Sequence, residues 1–159
     1  MNIDGTPHRS VWVDEEDRWS VRILDQTRLP WTVEILRLTD ENGVAHAIRS
    51  MQVRGAPLIG AVAAYGVALA LRRDPSTANL DRVVAMLGET RPTAINLRWA
   101  LGRMRAALHN LAPGDRVAAA YAEAAAICDD DVETCRRIGE HGLPLIEEAA
   151  SRKPGERVN

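Results

Sequence analysis

The sequence carries no large excess of either charge: 20 basic and 22 acidic residues give a formal net charge of -2 over 159 residues. That balance sets up no global field to draw in nucleic acid or an anionic membrane, so neither partner is expected and any anion site must be local. Long hydrophobic runs are also lacking. The longest, Ala56 to Leu71, is rich in glycine and falls short of the roughly 20 residues that span a bilayer. The N-terminal "MNIDGTPHRS" has no apolar stretch of the signal-peptide kind, so a cytoplasmic location is expected.

Cysteine occurs only as Cys128 and Cys135. On one helix they would stand roughly 10 Å apart along one face, beyond disulfide reach. They read as small buried apolar residues of a protein kept in a reducing compartment. Lysine is nearly missing, with Lys153 alone among arginines, whose planar fork suits a bidentate grip on phosphate or carboxylate. His8, His46, His109 and His141 have neither the paired spacing nor the adjacent cysteines of a zinc site. The run Asp129 to Asp131 lacks metal-loop spacing and reads as a helix cap. No GxSxG, Walker or GxGxxG pattern is present, so neither metal nor cofactor is expected.

What is present is an ordinary globular composition, 46% hydrophobic and 26% charged, enough for one core. "SVWVD", "WSVRIL" and "TVEILRL" alternate apolar and polar positions and predict a small antiparallel sheet with one wet face. "EEDR" would turn the first hairpin, and "DQTRLP" would end the second strand through an Asx-turn at Asp25 and the missing donor of Pro30. From Asn42 the period becomes helical. "GAPLIGAVAAYGVALALRR" has Pro57 at the first helical position and Arg72 and Arg73 at the negative end of the dipole. In "TAINLRWALGRMRAALHNL", Ile95, Leu97, Trp99, Leu101, Met104 and Leu108 suggest a broad apolar face. An alanine-rich helix follows "PGD", then an acidic joint, then a last helix capped by Asp129 or Asp130. The expectation is an α+β domain over residues 1–150, with strands at about 10–38 and helices at about 43–150, and a linker or first strand of something further at 151–159.

The chemistry-bearing stretch is "VRGAPLIG". Arg54, Gly55 and Ala56 precede a helix whose first N–H groups, together with the dipole, favour an anion. Gly55 admits a ligand close to the backbone, and Arg54 would add a charge-assisted contact. "TRPTAINL" repeats the arrangement, with Arg91 directly before Pro92 and a helix beyond. If the two helix starts converge, one phosphate or sugar phosphate fits between them. The plainer alternative pairs these arginines with acids such as Glu89 or Asp25, and gives the small residues of the apolar run to close helix packing.

"LDQTRLP", "VRGAPLIGAVAAYGVALAL", "TRPTAINLRWALGRM" and "DVETCRRIGEHG" resemble four consecutive blocks of the methylthioribose-1-phosphate isomerases, in order, from about Leu24 to Gly142. That family shares a superfamily with ribose-bisphosphate isomerases and the regulatory subunits of the eukaryotic translation-initiation nucleotide-exchange factor. The resemblance implies isomerisation of 5-methylthioribose 1-phosphate to 5-methylthioribulose 1-phosphate in methionine salvage, with substrate contacts from Arg54, Gly55, Ala56 and Arg91. It also implies a homodimer in the full-length form. The family's cysteine, in a Thr-His-Cys-Asn segment, and its aspartate proton donor lie on a following Rossmann-like domain. No position here matches either, so an inactive N-terminal part is expected, with no catalytic residue among these 159. The competing expectation is a non-catalytic sugar-phosphate-binding or protein-interaction module akin to the initiation-factor subunits.

Overall fold

In the computed structural model, which describes residues 2–3 and 5–152, the alternating stretches form strands where one face has an interior to meet. A minimal antiparallel ladder joins β1 (Asn2–Ile3) to β2 (Thr6–Pro7). The main sheet has the order β3 (Val11–Val13), β4 (Val21–Leu24), β5 (Ile35–Leu38), antiparallel throughout. Val21 and Ile23 face inward and are fully buried. On the other face Trp12, Arg22 and Arg37 lie side by side across the three strands. Two directly opposed guanidiniums would repel. Buried Asp14 resolves this, taking Arg22 Nε at 2.8 Å and Arg37 Nε at 3.6 Å, while Asp17 takes the other end of Arg37 at 2.5 Å.

Helices α1 (Glu41–Arg49), α2 (Ala56–Arg73), α3 (Thr77–Gly88), α4 (Ile95–Leu108) and α5 (Pro113–Ser151) follow. The order is that of the expected α+β fold, a three-stranded antiparallel sheet and then five helices. The fold gathers around α2. Every residue from Ile59 to Leu71 is buried, so a helix long and apolar enough to cross a membrane by composition is in fact wrapped by its own fold. Two glycines make that wrapping possible. A Cβ on Gly60 would stand 2.8 Å from the Asn96 carbonyl oxygen of α4, and one on Gly66 2.8 Å from Val44 Cγ1 of α1 and 3.0 Å from Leu87 Cδ1 of α3. The small-residue run therefore has a packing role at these positions.

In α4 the apolar face differs from the expected one. Leu97, Ala100, Leu101, Met104 and Leu108 are buried at helical spacing, whereas Ile95 and Trp99 are 72% and 53% exposed. A helix of 3.6 residues per turn cannot bury both sets, and the larger set wins.

Arg116, at the start of α5, is 3% exposed yet fully engaged. Its guanidinium donates to the carbonyls of Leu108 (3.1 Å), Pro75 (2.8 Å) and His109 (3.0 Å), and to Thr77 Oγ1 (2.8 Å). It thus caps the open carbonyls at the end of α4 and ties them to the start of α3. Further along α5, the Tyr121 hydroxyl donates to the Trp19 carbonyl at 2.6 Å, and Arg72 stacks 4.1 Å from the Trp19 ring centre.

The described chain forms two compact units, Met1–Ile127 and Cys128–Asn159. No joint interrupts α5 at the acidic run: Asp129, Asp130 and Asp131 lie inside one continuous helix rather than at the start of a second one. Extending an existing helix adds one bond per residue, whereas starting a new one costs a nucleus, so the alanine-rich segment carries the helix through. Beyond it, Arg136 pairs with Glu133 at 2.7 Å and also with Glu140, favourable helical spacings. Of the two cysteines, Cys128 is buried and Cys135 is exposed, so only the first fits the expected packing role. The expected linker at 151–159 lies largely outside the described residues.

Candidate functional site

Among the described helices α1 and α3 start with side-chain caps: the Asp40 carboxylate accepts from the Gly43 N–H at 2.8 Å, and the Ser76 hydroxyl from the Asn79 N–H at 3.2 Å. Helices α2 and α4 do not. Gly55 and Ala94 occupy their N-cap positions, neither supplies a side-chain bond, and neither first turn carries an acid. Their leading N–H groups have no carbonyl one turn back to bond, so both starts keep their positive ends uncompensated.

These two starts meet. Gly55 and Ala56 line a hollow of about 440 Å³ together with Arg91, Thr93 and Asn96. Gly60 makes the approach possible, since α4 lies against α2 where any larger residue would strike the Asn96 carbonyl. Gly55 has φ +96°, a conformation that costs an L side chain and that only glycine adopts freely. Three of the four residues singled out by sequence, Gly55, Ala56 and Arg91, thus share one cavity. Arg54 is not among the lining residues and directly precedes Gly55 in the chain.

Arg91 is placed differently from the sequence expectation. A turn closed by the Ala94 N–H on the Arg91 carbonyl (3.0 Å) separates it from the helix, which begins only at Ile95. Pro57 likewise falls at the second helical position.

Some arginines elsewhere find carboxylates: Arg73 and Arg82 share buried Glu41, Arg103 takes Glu123 and Arg105 takes Asp81, whereas Arg98 and Arg116 donate to backbone carbonyls. Among the described residues Arg54 and Arg91 have no ion pair. Arg91 Nη1 donates to the Met51 sulfur at 3.4 Å, and Arg54 Nη2 to the Gln26 carbonyl at 3.1 Å. The acids offered by the plainer alternative are engaged elsewhere or exposed. Asp25 accepts from the Thr27 N–H at 2.9 Å, the Thr27 hydroxyl at 2.6 Å and Gln52 Nε2 at 3.3 Å. Burial works to raise the Asp25 pKa, but those hydrogen bonds outweigh it and hold the carboxyl below its ordinary value of 3.8. The Asx-turn expected at Asp25 is there.

Thr93 and Asn96 were not singled out by sequence, although "PTAIN" marks a helix start. Gln26 and Met51 gave no local signal, because their contacts to Arg54 and Arg91 bridge 28 and 40 positions. Among the described residues no group of three metal-ligand side chains is assembled.

Residues 52–151 match the initiation factor 2 subunit family. The methylthioribose-1-phosphate isomerase of Acidiphilium cryptum (strain JF-5) is 66% identical over 159 residues, all of this chain and 43% of its own length. That of Gluconobacter oxydans (strain 621H) is 58% identical, over 96% of this chain and 42% of its own length. Two crystal structures superpose well. The 5-methylthioribose 1-phosphate isomerase of Pyrococcus horikoshii OT3 has TM-score 0.77 and 33% identity, over 86% of this chain and 40% of that one. The delta subunit of translation initiation factor eIF-2B from A. fulgidus has TM-score 0.76 and 35% identity, over 86% and 41%. The chain spans less than half the length of these relatives.

Proposed function

Because this chain belongs to the initiation factor 2 subunit family and is a close relative of methylthioribose-1-phosphate isomerases over its whole length, we propose that the hollow between α2 and α4 seats the phosphate of 5-methylthioribose 1-phosphate. The observation that carries this reading is the meeting of two uncapped helix starts at a hollow that Arg91 lines and that Arg54 precedes by one residue, with no carboxylate among the described residues paired to either guanidinium. Helix N–H groups and dipoles favour an anion there, and Arg54 and Arg91 add charge-assisted donors.

The chemistry follows from the substrate class. The phosphate sits on the anomeric oxygen, so the ring cannot open as a free hemiacetal would, and isomerisation needs a proton delivered to the ring oxygen and hydrogen moved between C2 and C1. Arg54, Gly55, Ala56 and Arg91 hold and orient; none of them is suited to that proton traffic. Positioning without acid and base leaves the chemical step nearly unassisted, so the 159-residue chain binds and does not turn over. In the longer form of the relatives, the groups that do the chemistry come from the remainder of the chain, in a cytoplasmic homodimer.

Calorimetric titration with 5-methylthioribose 1-phosphate and with inorganic phosphate tests this. Saturable binding of both is expected, weakened about tenfold or more by Arg54→Ala or Arg91→Ala, as for loss of a charge-assisted hydrogen bond. No isomerised product is expected. Absence of saturable binding by the unaltered chain would sink the reading. The likeness to the eIF-2B delta subunit favours a second one, a non-catalytic interaction module, which a failed titration would leave standing.

A further inference from the structure

The hinge between α1 and α2 has to reverse the chain within six residues, and it does so through two left-handed positions, Met51 at φ +66° and Gly55 at φ +96°. A backbone bent this way has no ladder of its own to keep Arg54 in place. Across from it runs the loop that follows β4, and a single residue of that loop meets the hinge three times. The Gln26 N–H donates to the Gln52 carbonyl at 3.0 Å. Gln26 Oε1 accepts the Arg54 N–H at 3.0 Å, and the Gln26 carbonyl accepts from Arg54 Nη2 at 3.1 Å. The loop is itself fixed from the next position, where the Asp25 carboxylate grips Thr27 and Gln52.

We infer that Gln26 is a positioning residue, which orients the Arg54 backbone and guanidinium toward a phosphate while leaving their charge intact. This rests on the phosphate reading of the hollow. The amide is the chemically apt choice. Its oxygen and the backbone carbonyl are neutral acceptors, so they fix two donors of Arg54 without cancelling its charge, and the remaining guanidinium donors are left for an anion. A carboxylate at the same place would accept the same bond and neutralise the seat. An isosteric apolar side chain would preserve the charge and release the Arg54 N–H, leaving the carbonyl contact to hold the guanidinium alone.

Three variants of the 159-residue chain separate these roles: Gln26→Met, Gln26→Glu and Arg54→Ala. Each is titrated with inorganic phosphate, melted without it, and examined by the arginine Nε–Hε signals in 15N–1H spectra, the Arg54 signal being the one missing from Arg54→Ala. Gln26→Met should bind phosphate about fivefold more weakly, the loss of one ordinary hydrogen bond. Its Arg54 signal should move from the parent's before any phosphate is added, because the Arg54 N–H has lost its acceptor and only the Gln26 carbonyl still holds Nη2. Gln26→Glu should keep the Arg54 signal of the parent and its Tm, yet bind phosphate at least as poorly as Gln26→Met. A merely structural role would lower Tm in Gln26→Met alone, since Gln26→Glu keeps the acceptor, and leave the affinity of Gln26→Met unchanged.

Parent-like affinity and Arg54 signal in both Gln26 variants overturn the inference alone. No saturable phosphate binding by the parent overturns the phosphate reading, and the inference with it. If Gln26→Met fails to fold, Gln26→Asn decides in its place, since its shorter amide leaves the charge unchanged and withdraws the acceptor from the Arg54 N–H.

Discussion

Arg116 shows how much one side chain can hold together here. Four donors of a buried guanidinium go to three carbonyls and one hydroxyl drawn from α3, α4 and the connections around them. Arg116→Leu removes all four donors and leaves the buried Leu108 carbonyl, the end of α4, without that partner. The expected loss is about 3 kcal/mol or more, read as a drop of about 10 °C in Tm by thermal denaturation. Arg116→Lys should recover only a small part, because an ammonium cannot span the same fork. The sequence offered no hint of this residue beyond its arginine bias. The visible signals were those written into local backbone: Gly55 because a positive φ asks for glycine, and Arg54 and Arg91 because each precedes a proline and a helical period. Gln26 was invisible for the opposite reason, since nothing within several positions of it predicts a partner 28 residues on.

The helices pack through glycines, and the consequences of filling them can be ranked. At Gly60 a methyl group would meet a backbone oxygen at 2.8 Å, which cannot move without displacing α4. At Gly66 it would meet the side chains of Val44 and Leu87, which can yield a little. At Gly102 it would meet nothing within 4 Å. Alanine gains about 0.5–1 kcal/mol of helix propensity over glycine, and overpacking costs about 1–3 kcal/mol. Gly60→Ala should therefore be the most destabilising in urea titration, Gly66→Ala milder, and Gly102→Ala stabilising. Only Gly60→Ala should also weaken phosphate binding, because Asn96 lines the hollow. Of the elements themselves, the three main strands and the first four helices were legible from period and punctuation. The acidic run inside α5 was not: aspartates suit an N-cap, but propagation through an alanine-rich helix outweighs that preference. The choice between Leu97 and Trp99 as the buried side of α4 was ambiguous for a similar reason, since both sets repeat at helical spacing and only the neighbouring helices decide.

Taken together, the carboxylates make the protein acid-sensitive in a defined window. The Arg22 hydrogen bond, chiefly, holds Asp14 below its ordinary value of 3.8. Asp17 is lowered despite its burial, by the Trp19 N–H and Arg37, Asp74 by the Ser76 N–H and hydroxyl, and Asp25 by Thr27 and Gln52 against its own burial. A carboxyl whose folded pKa lies below its unfolded one adds stability that is complete above the unfolded value and fades as pH falls through the folded one. Tm should thus be nearly level from pH 7 to about pH 5 and decline steadily below about pH 4. A flat profile down to pH 3 would contradict these assignments.

The Tyr121 hydroxyl bonds the Trp19 carbonyl across 102 positions of chain, and during synthesis that separation becomes a delay. At roughly 5–20 residues per second, the hairpin turn is synthesised about 5–20 s before the tyrosine that closes on it. The N-terminal sheet is made first and locked late, so a nascent chain arrested before α5 is the form of this protein most exposed to misassembly.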